Sequence, residues 1–139
     1  MIVDNFVSRL QKAKRTGKNS WLACCPAHDD KHPSMSITEG DDGRVLVKCF
    51  AGCSIDEITG SVGMDISELY PPKEFDEFAP KQKIGFNARD VLAAISLEMT
   101  IVVICASDMA KGKTLGEESK KRLLLAASRI TTAIEVANV

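Results

Sequence analysis

Two short pairs of side chains constrain this chain more than any other feature. Cys25-Pro26-Ala27-His28 is a C-x2-H pair, and Cys49-Phe50-Ala51-Gly52-Cys53 is a C-x3-C pair. Each directly follows a stretch with strand character, Trp21-Leu22-Ala23 before the first and Arg44-Val45-Leu46-Val47-Lys48 before the second. Between them Ser34-Met35-Ser36-Ile37-Thr38 alternates polar and apolar, and Glu39-Gly40-Asp41-Asp42-Gly43 has hairpin-turn composition. The spacing therefore predicts a ribbon of antiparallel strands whose turns each carry two donors. Tetrahedral zinc needs four soft or borderline donors converging at about 2.0–2.3 Å, and two such pairs supply them. Gly52 gives the second turn the freedom to aim both thiolates at one ion. A segment this short, with few large apolar side chains, is expected to draw much of its folding energy from the metal.

A lone cysteine is more often a buried thiol than a ligand, but four donors in two strand-following pairs favour a metal. Two further residues compete for ligand positions. Cys24 adjoins Cys25, should point to the opposite strand face, and reads as a packed thiol. His32 lies four residues after His28 in a polar loop before Pro33 and reads as solvent-exposed. Cys105 falls within an apolar run and reads as core. A site made of Cys25, His28, Cys49 and Cys53 has no open coordination position, so one structural ion per chain is expected, without a role in activating water.

The rest of the chain is read around this ribbon. Asp4 as an N-cap, with Phe6, Val7, Leu10 and Ala13 at helical spacing and Gly17 as a stop, predicts an opening amphipathic helix. Ser54 caps a short helix after Cys53, and Met64–Tyr70 reads as one more helical turn, stopped by Pro71-Pro72. Residues 72–86 are expected to be a linker, dividing a zinc domain at 1–71 from a helical unit at 87–139. In that unit Asn87 and Asp90 resemble a capping box opening a helix to about Ala110. Thr114 with Glu117 opens a second, with Leu123, Ala127, Ile130, Ile134 and Ala137 along one face. The short connection implies an antiparallel helical hairpin. The fold class expected is thus α+β, a small zinc ribbon with antiparallel strands followed by a C-terminal hairpin.

Charge and hydropathy narrow the function classes. Lys and Arg total 18 against 19 Asp and Glu, but residues 1–53 carry eight basic and six acidic side chains, and residues 54–80 one and seven. The 17 residues between Asp90 and Asp108 are mostly apolar, yet Glu98 sits near their middle, where an unpaired carboxylate is costly in lipid. A buried helix, and no membrane partner, is expected. Met1-Ile2-Val3-Asp4 has no basic leader before an apolar stretch, so a cytoplasmic location is expected, with the cysteines as thiols or ligands rather than disulfides.

The stretches Trp21–Ile37, with its C-P-x-H pair, and Asp42–Ser54, with its second cysteine pair, resemble the zinc-binding domain of bacterial and bacteriophage DNA primases, a zinc ribbon of CHC2 type. The likeness continues through Gly63-Met64-Asp65-Ile66-Ser67-Glu68-Leu69-Tyr70-Pro71. It implies zinc held by Cys25, His28, Cys49 and Cys53. Three residues separate the second pair, as in phage-type members, where chromosomal primases have two. The catalytic domain of such primases carries a glutamate and an Asp-x-Asp pair that hold magnesium. Residues 72–139 are too short for it, and the chain contains no Asp-x-Asp. An enzyme is therefore not expected.

The resemblance implies a phage-type or prophage-type protein that binds single-stranded DNA and supports replication priming in trans, beside a primase, a helicase or another protein. Lys12, Lys14, Arg15, Lys31, Arg44 and Lys48 are the basic candidates for phosphate contact, and Trp21 and Phe50 for base stacking. The alternative is a zinc-stabilised adaptor whose hairpin binds a partner protein in host replication or defence. It rests on Ile101-Val102-Val103-Ile104-Cys105-Ala106, more apolar surface than one neighbouring helix covers, which also predicts self-association through residues 87–138.

Overall fold

The computed structural model describes residues 1–72 and 85–137. Most of the linker expected at 72–86 lies outside the described residues. The first helix, α1 (Ile2–Val7), buries Val3 and Phe6 and ends at Ser8. It does not run on to Gly17. The chain turns through Lys12, at φ 51°, into a strand, β1 (Lys14–Gly17). Nothing in Lys-Arg-Thr-Gly signals a strand. β1 exists because its backbone pairs with β2 (Ser20–Ala23), Lys14 opposite Leu22 and Arg15 opposite Trp21.

β3 (Met35–Glu39) and β4 (Val45–Cys49) complete an antiparallel sheet in the order β1-β2-β3-β4, joined by the hairpin turn expected at 39–43. Side chains alternate across it. On one face Trp21, Ala23, Met35, Ile37, Val45 and Cys49 form the core with Val3 and Phe6 of α1. Ile58 of α2 (Ile55–Ser61), Met64 and Leu69 close the same core. Ser54 caps α2 in a full capping box with Glu57, and Asp65 does the same with Glu68 for the short 3-10 helix Ile66–Leu69. Both follow the reciprocal bonding that such spacing favours.

The single long helix expected after Asn87 is two helices, α3 (Ala88–Ala94) and α4 (Ser96–Ala110), meeting at 56°. The break at Ile95 lets α3 lie on the second face of the sheet while α4 pairs with α5 (Glu117–Ala137). Asn87 caps α3 by accepting from the Arg89 N–H, but Asp90 does not complete a box. Its carboxylate accepts a hydrogen bond from the Thr16 hydroxyl instead, at 2.7 Å. The first turn of α5 closes from the Lys120 N–H onto the Gly116 carbonyl, so Thr114 lies outside the helix it was expected to cap.

The sequence placed the packed face of α5 slightly off its true position. Ala126 and Ala133 are its buried residues, whereas Ala127 and Ile134 are exposed. Between α4 and α5, Glu98 is buried and accepts two hydrogen bonds from Arg122, at 2.7 and 2.9 Å, and one from Arg129 at 2.8 Å. Its charge is thus met by protein. Among the described residues no single helix is long and apolar enough to cross a membrane, and only the bent pair α3–α4 reaches that length.

Candidate metal centre

The ribbon assembles the two pairs as the spacing requires. β2 leads into Cys25, and β4 ends on Cys49, whose partner Cys53 follows a turn through Gly52 at φ 98°. That backbone conformation suits glycine, and the Gly52 N–H closes the turn onto the Cys49 carbonyl. The donor atoms of Cys25, His28, Cys49 and Cys53 all lie within 4.8 Å of one another. The His28 Nδ1 is 3.2 Å from the Cys53 Sγ and 3.8 Å from the Cys49 Sγ. Four donors bound tetrahedrally at zinc lengths are separated by about 3.5–3.8 Å, so the set fits one zinc ion.

The three thiols act on one another electrostatically. Cys49 is pulled down to about 5, first by a hydrogen bond from Cys25 and further by the Cys53 and Ala51 backbone N–H groups and His28, against its burial. Cys25 is pushed far up by holding that proton and by burial. Burial, with the Cys49 charge beside it, also raises Cys53. A dication bound among these thiols would favour their ionised forms, the forms that ligate zinc. Cys25, His28, Cys49 and Cys53 would hold zinc at this centre, and the ion would cross-link the two turns. With four protein donors, the chemistry it supplies is structural.

A fifth residue belongs to the centre, and the sequence reading missed it. Asp30 accepts the Cys25 backbone N–H at 2.8 Å and the Ser34 hydroxyl at 2.7 Å on one carboxylate oxygen. Its other oxygen lies 3.7 Å from the His28 Nε2. Asp30 therefore ties the first pair to the start of β3 and faces the ring nitrogen turned away from the thiols. This is the outer partner that metal-bound imidazoles commonly have. The signal was an Asp two residues after His28 with Ser34 four further on, a local side-chain-to-backbone pattern.

Of the competing residues, Cys24 is buried outside the donor group, His32 is exposed, and Cys105 is buried in α4. The residues expected to touch nucleic acid divide into two sets. Lys12, Lys14, Arg15 and Lys31 are exposed, Lys14 and Arg15 on the edge strand β1 and Lys31 in the loop before β3, where its carbonyl accepts from the Lys12 Nζ at 2.8 Å. Arg44 precedes β4 and pairs with Asp42 at 2.5 Å in the hairpin turn, while Lys48 is half-buried on β4.

Trp21 and Phe50 do not offer the stacking faces expected of them. Trp21 is 8% exposed in the first core, with the Arg15 guanidinium 5.5 Å from its ring centroid, and Phe50 is 3% exposed beneath α3. Large rings in a small domain are worth more as core than as surface.

The family model for the CHC2 zinc finger matches residues 1–86. No curated protein and no solved structure matches the chain. The matched residues take in the whole four-stranded sheet and all four donors, and they make up more than half of the chain. By the ribbon, the donor set and this match together, the chain belongs to the CHC2 zinc-finger family.

Proposed function

We propose that this protein is a primase-type zinc module that binds single-stranded DNA and supports priming in trans, without nucleotidyl-transfer chemistry of its own. The observation that carries this reading is a family zinc ribbon with Lys12, Lys14 and Arg15 exposed at the start of its edge strand and Lys31 exposed in the loop whose carbonyl the Lys12 ammonium reaches. A row of cations along an open edge follows a phosphate backbone, and the stacking of Arg15 on Trp21 holds one of them in place. Asp29, Asp41 and Asp42 weaken the field, so affinity is modest and sequence preference slight. The working setting is the cytoplasm, in a phage or prophage context, beside a primase or helicase. Fluorescence anisotropy on a short oligo-dT at low salt tests the reading. Binding is expected, with log K falling about 0.7 per neutralised phosphate against log salt. Lys12→Glu with Lys14→Glu should abolish it while zinc stays bound, and no binding by the unaltered protein would overturn it.

A second reading, an adaptor that associates through its hairpin, is favoured by the apolar side chains left open on α4 and α5. Val103, Ile104 and Leu124 are 67%, 55% and 71% exposed. Sedimentation at rising concentration tests its self-associating form, and a monomer at all concentrations would count against it.

A further inference from the structure

The second face of the sheet is chemically mixed. Leu22 and Phe50 pack there with Val91, Ala94 and Ile95 from α3, Ile95 being the hinge residue, and with Ala133 of α5. Beside Leu22, strand alternation sets Ser36 and Thr38 of β3 on the same face. Both are buried, at 0% and 8% exposure, and neither hydroxyl has a hydrogen-bond partner among the described residues. The register puts Lys14 opposite Leu22, Leu22 opposite Ser36, and Ser36 opposite Lys48. One row across the sheet therefore reads Lys14, Leu22, Ser36, Lys48, with a lysine at each end.

An apolar helix has no use for hydroxyls beneath it, and an unpartnered buried hydroxyl costs free energy that alanine or valine would avoid. A hydroxyl in a row ended by two lysines, with a second hydroxyl two residues on at Thr38, suits phosphate oxygens, which accept from both kinds of donor. α3 itself brings an anion to this face, since the Asp90 carboxylate, 3% exposed, accepts the Thr16 hydroxyl at 2.7 Å. The apolar half of the face matches α3, and the polar half does not.

We infer that α3 is a displaceable cover, competing with the phosphodiester backbone of single-stranded DNA for the face that carries Lys14, Ser36, Thr38 and Lys48. The inference rests on the DNA-binding reading above. With α3 seated, the β1 edge is open, Lys48 is half-buried and the hydroxyls are covered, so binding is weak. With α3 displaced, the hydroxyls and Lys48 join that edge. The observed dissociation constant is then the intrinsic one divided by the open fraction.

The test uses the full chain loaded with zinc. Val91→Asn with Ile95→Asn weakens the apolar seat of α3 without changing charge, and it leaves the metal centre and the lysines untouched. Anisotropy on fluorescein-labelled oligo-dT should show at least tenfold tighter binding by this variant than by the unaltered protein at the same salt. In the unaltered protein, saturating oligo-dT should speed deuterium exchange at the amides of residues 88–94. Measurable but equal affinities, with no faster exchange, would overturn the cover and leave DNA binding standing. No binding by either protein would overturn the DNA reading and the competition with it. If the variant loses its zinc, the exchange measurement on the unaltered protein decides alone.

Discussion

Asp90 of α3 and Thr16 of β1 lie 74 residues apart in sequence, yet the Asp90 carboxylate accepts the Thr16 hydroxyl at 2.7 Å. This contact joins the helical unit to the edge strand of the ribbon, so the two parts expected to be separated by a linker touch directly. It also explains why Asp90 leaves the capping role that its position after Asn87 suggests. A carboxylate buried to 3% exposure needs a specific donor, and the edge strand provides one.

Zinc removal should unfold the ribbon. The purified protein is expected to carry one zinc ion per chain by elemental analysis, and Cys49→Ser should lose it together with the strand signal in circular dichroism. The physical reason is that β4 ends on Cys49, and the four donors join the turn after β2 to the turn after β4 at the edge of a small core. Protein purified without stoichiometric metal would refute the centre.

Asp30→Ala should weaken zinc binding without removing any ligand. Loss of an outer partner typically costs about 10–100-fold in metal affinity. Here the Cys25 N–H and the Ser34 hydroxyl lose their acceptor at the same time. Competition against a chromogenic chelator measures this, and an unchanged affinity would remove Asp30 from the centre.

Glu98 should make the helical hairpin acid-sensitive. Burial raises its carboxyl, but hydrogen bonds and charge from Arg122 and Arg129 outweigh that and hold it below the usual glutamate value. A group depressed in the folded state contributes stability that is present above its unfolded value and fades as pH falls through the folded one. Unfolding midpoints in urea should therefore drop in the acid range below the ordinary glutamate pKa. Glu98→Gln should abolish that part of the pH dependence. It should also cost toward the lower end of the ~3–5 kcal/mol seen when one partner of a buried ion pair is removed, because both arginines keep some access to water.

The protein alone should not synthesise primers. Two-metal nucleotide transfer needs carboxylates converging on a pair of cations. The cluster of metal-binding donors found among the described residues is the Cys3His centre, whose four donors leave no place for substrate. Template-dependent incorporation of labelled nucleotide, abolished by an Asp or Glu substitution in the same preparation, would overturn this.

The local chemistry of the chain was legible in its residues. Ligand spacing, the Gly40–Gly43 turn, the Ser54 cap, the helical turn within Met64–Tyr70 and the three predicted strands all depend on groups within a few positions of one another. Short-range geometry decides them. Tertiary structure alone decided the remainder. β1 is a strand because β2 offers it a ladder, although Lys14-Arg15-Thr16-Gly17 has no strand pattern. The apolar run after Asn87 breaks at Ile95, where the Ser96 hydroxyl donates to the Ala93 carbonyl at 3.0 Å and α3 and α4 pack on different partners. Trp21 and Phe50 are core rather than surface because the sheet is covered on both faces, by α1 and α2 on one and by α3 and α5 on the other. Periodicity reports which residues share a side of an element. What that side meets is decided by elements far away in the chain, through burial and pairing that a local pattern does not contain.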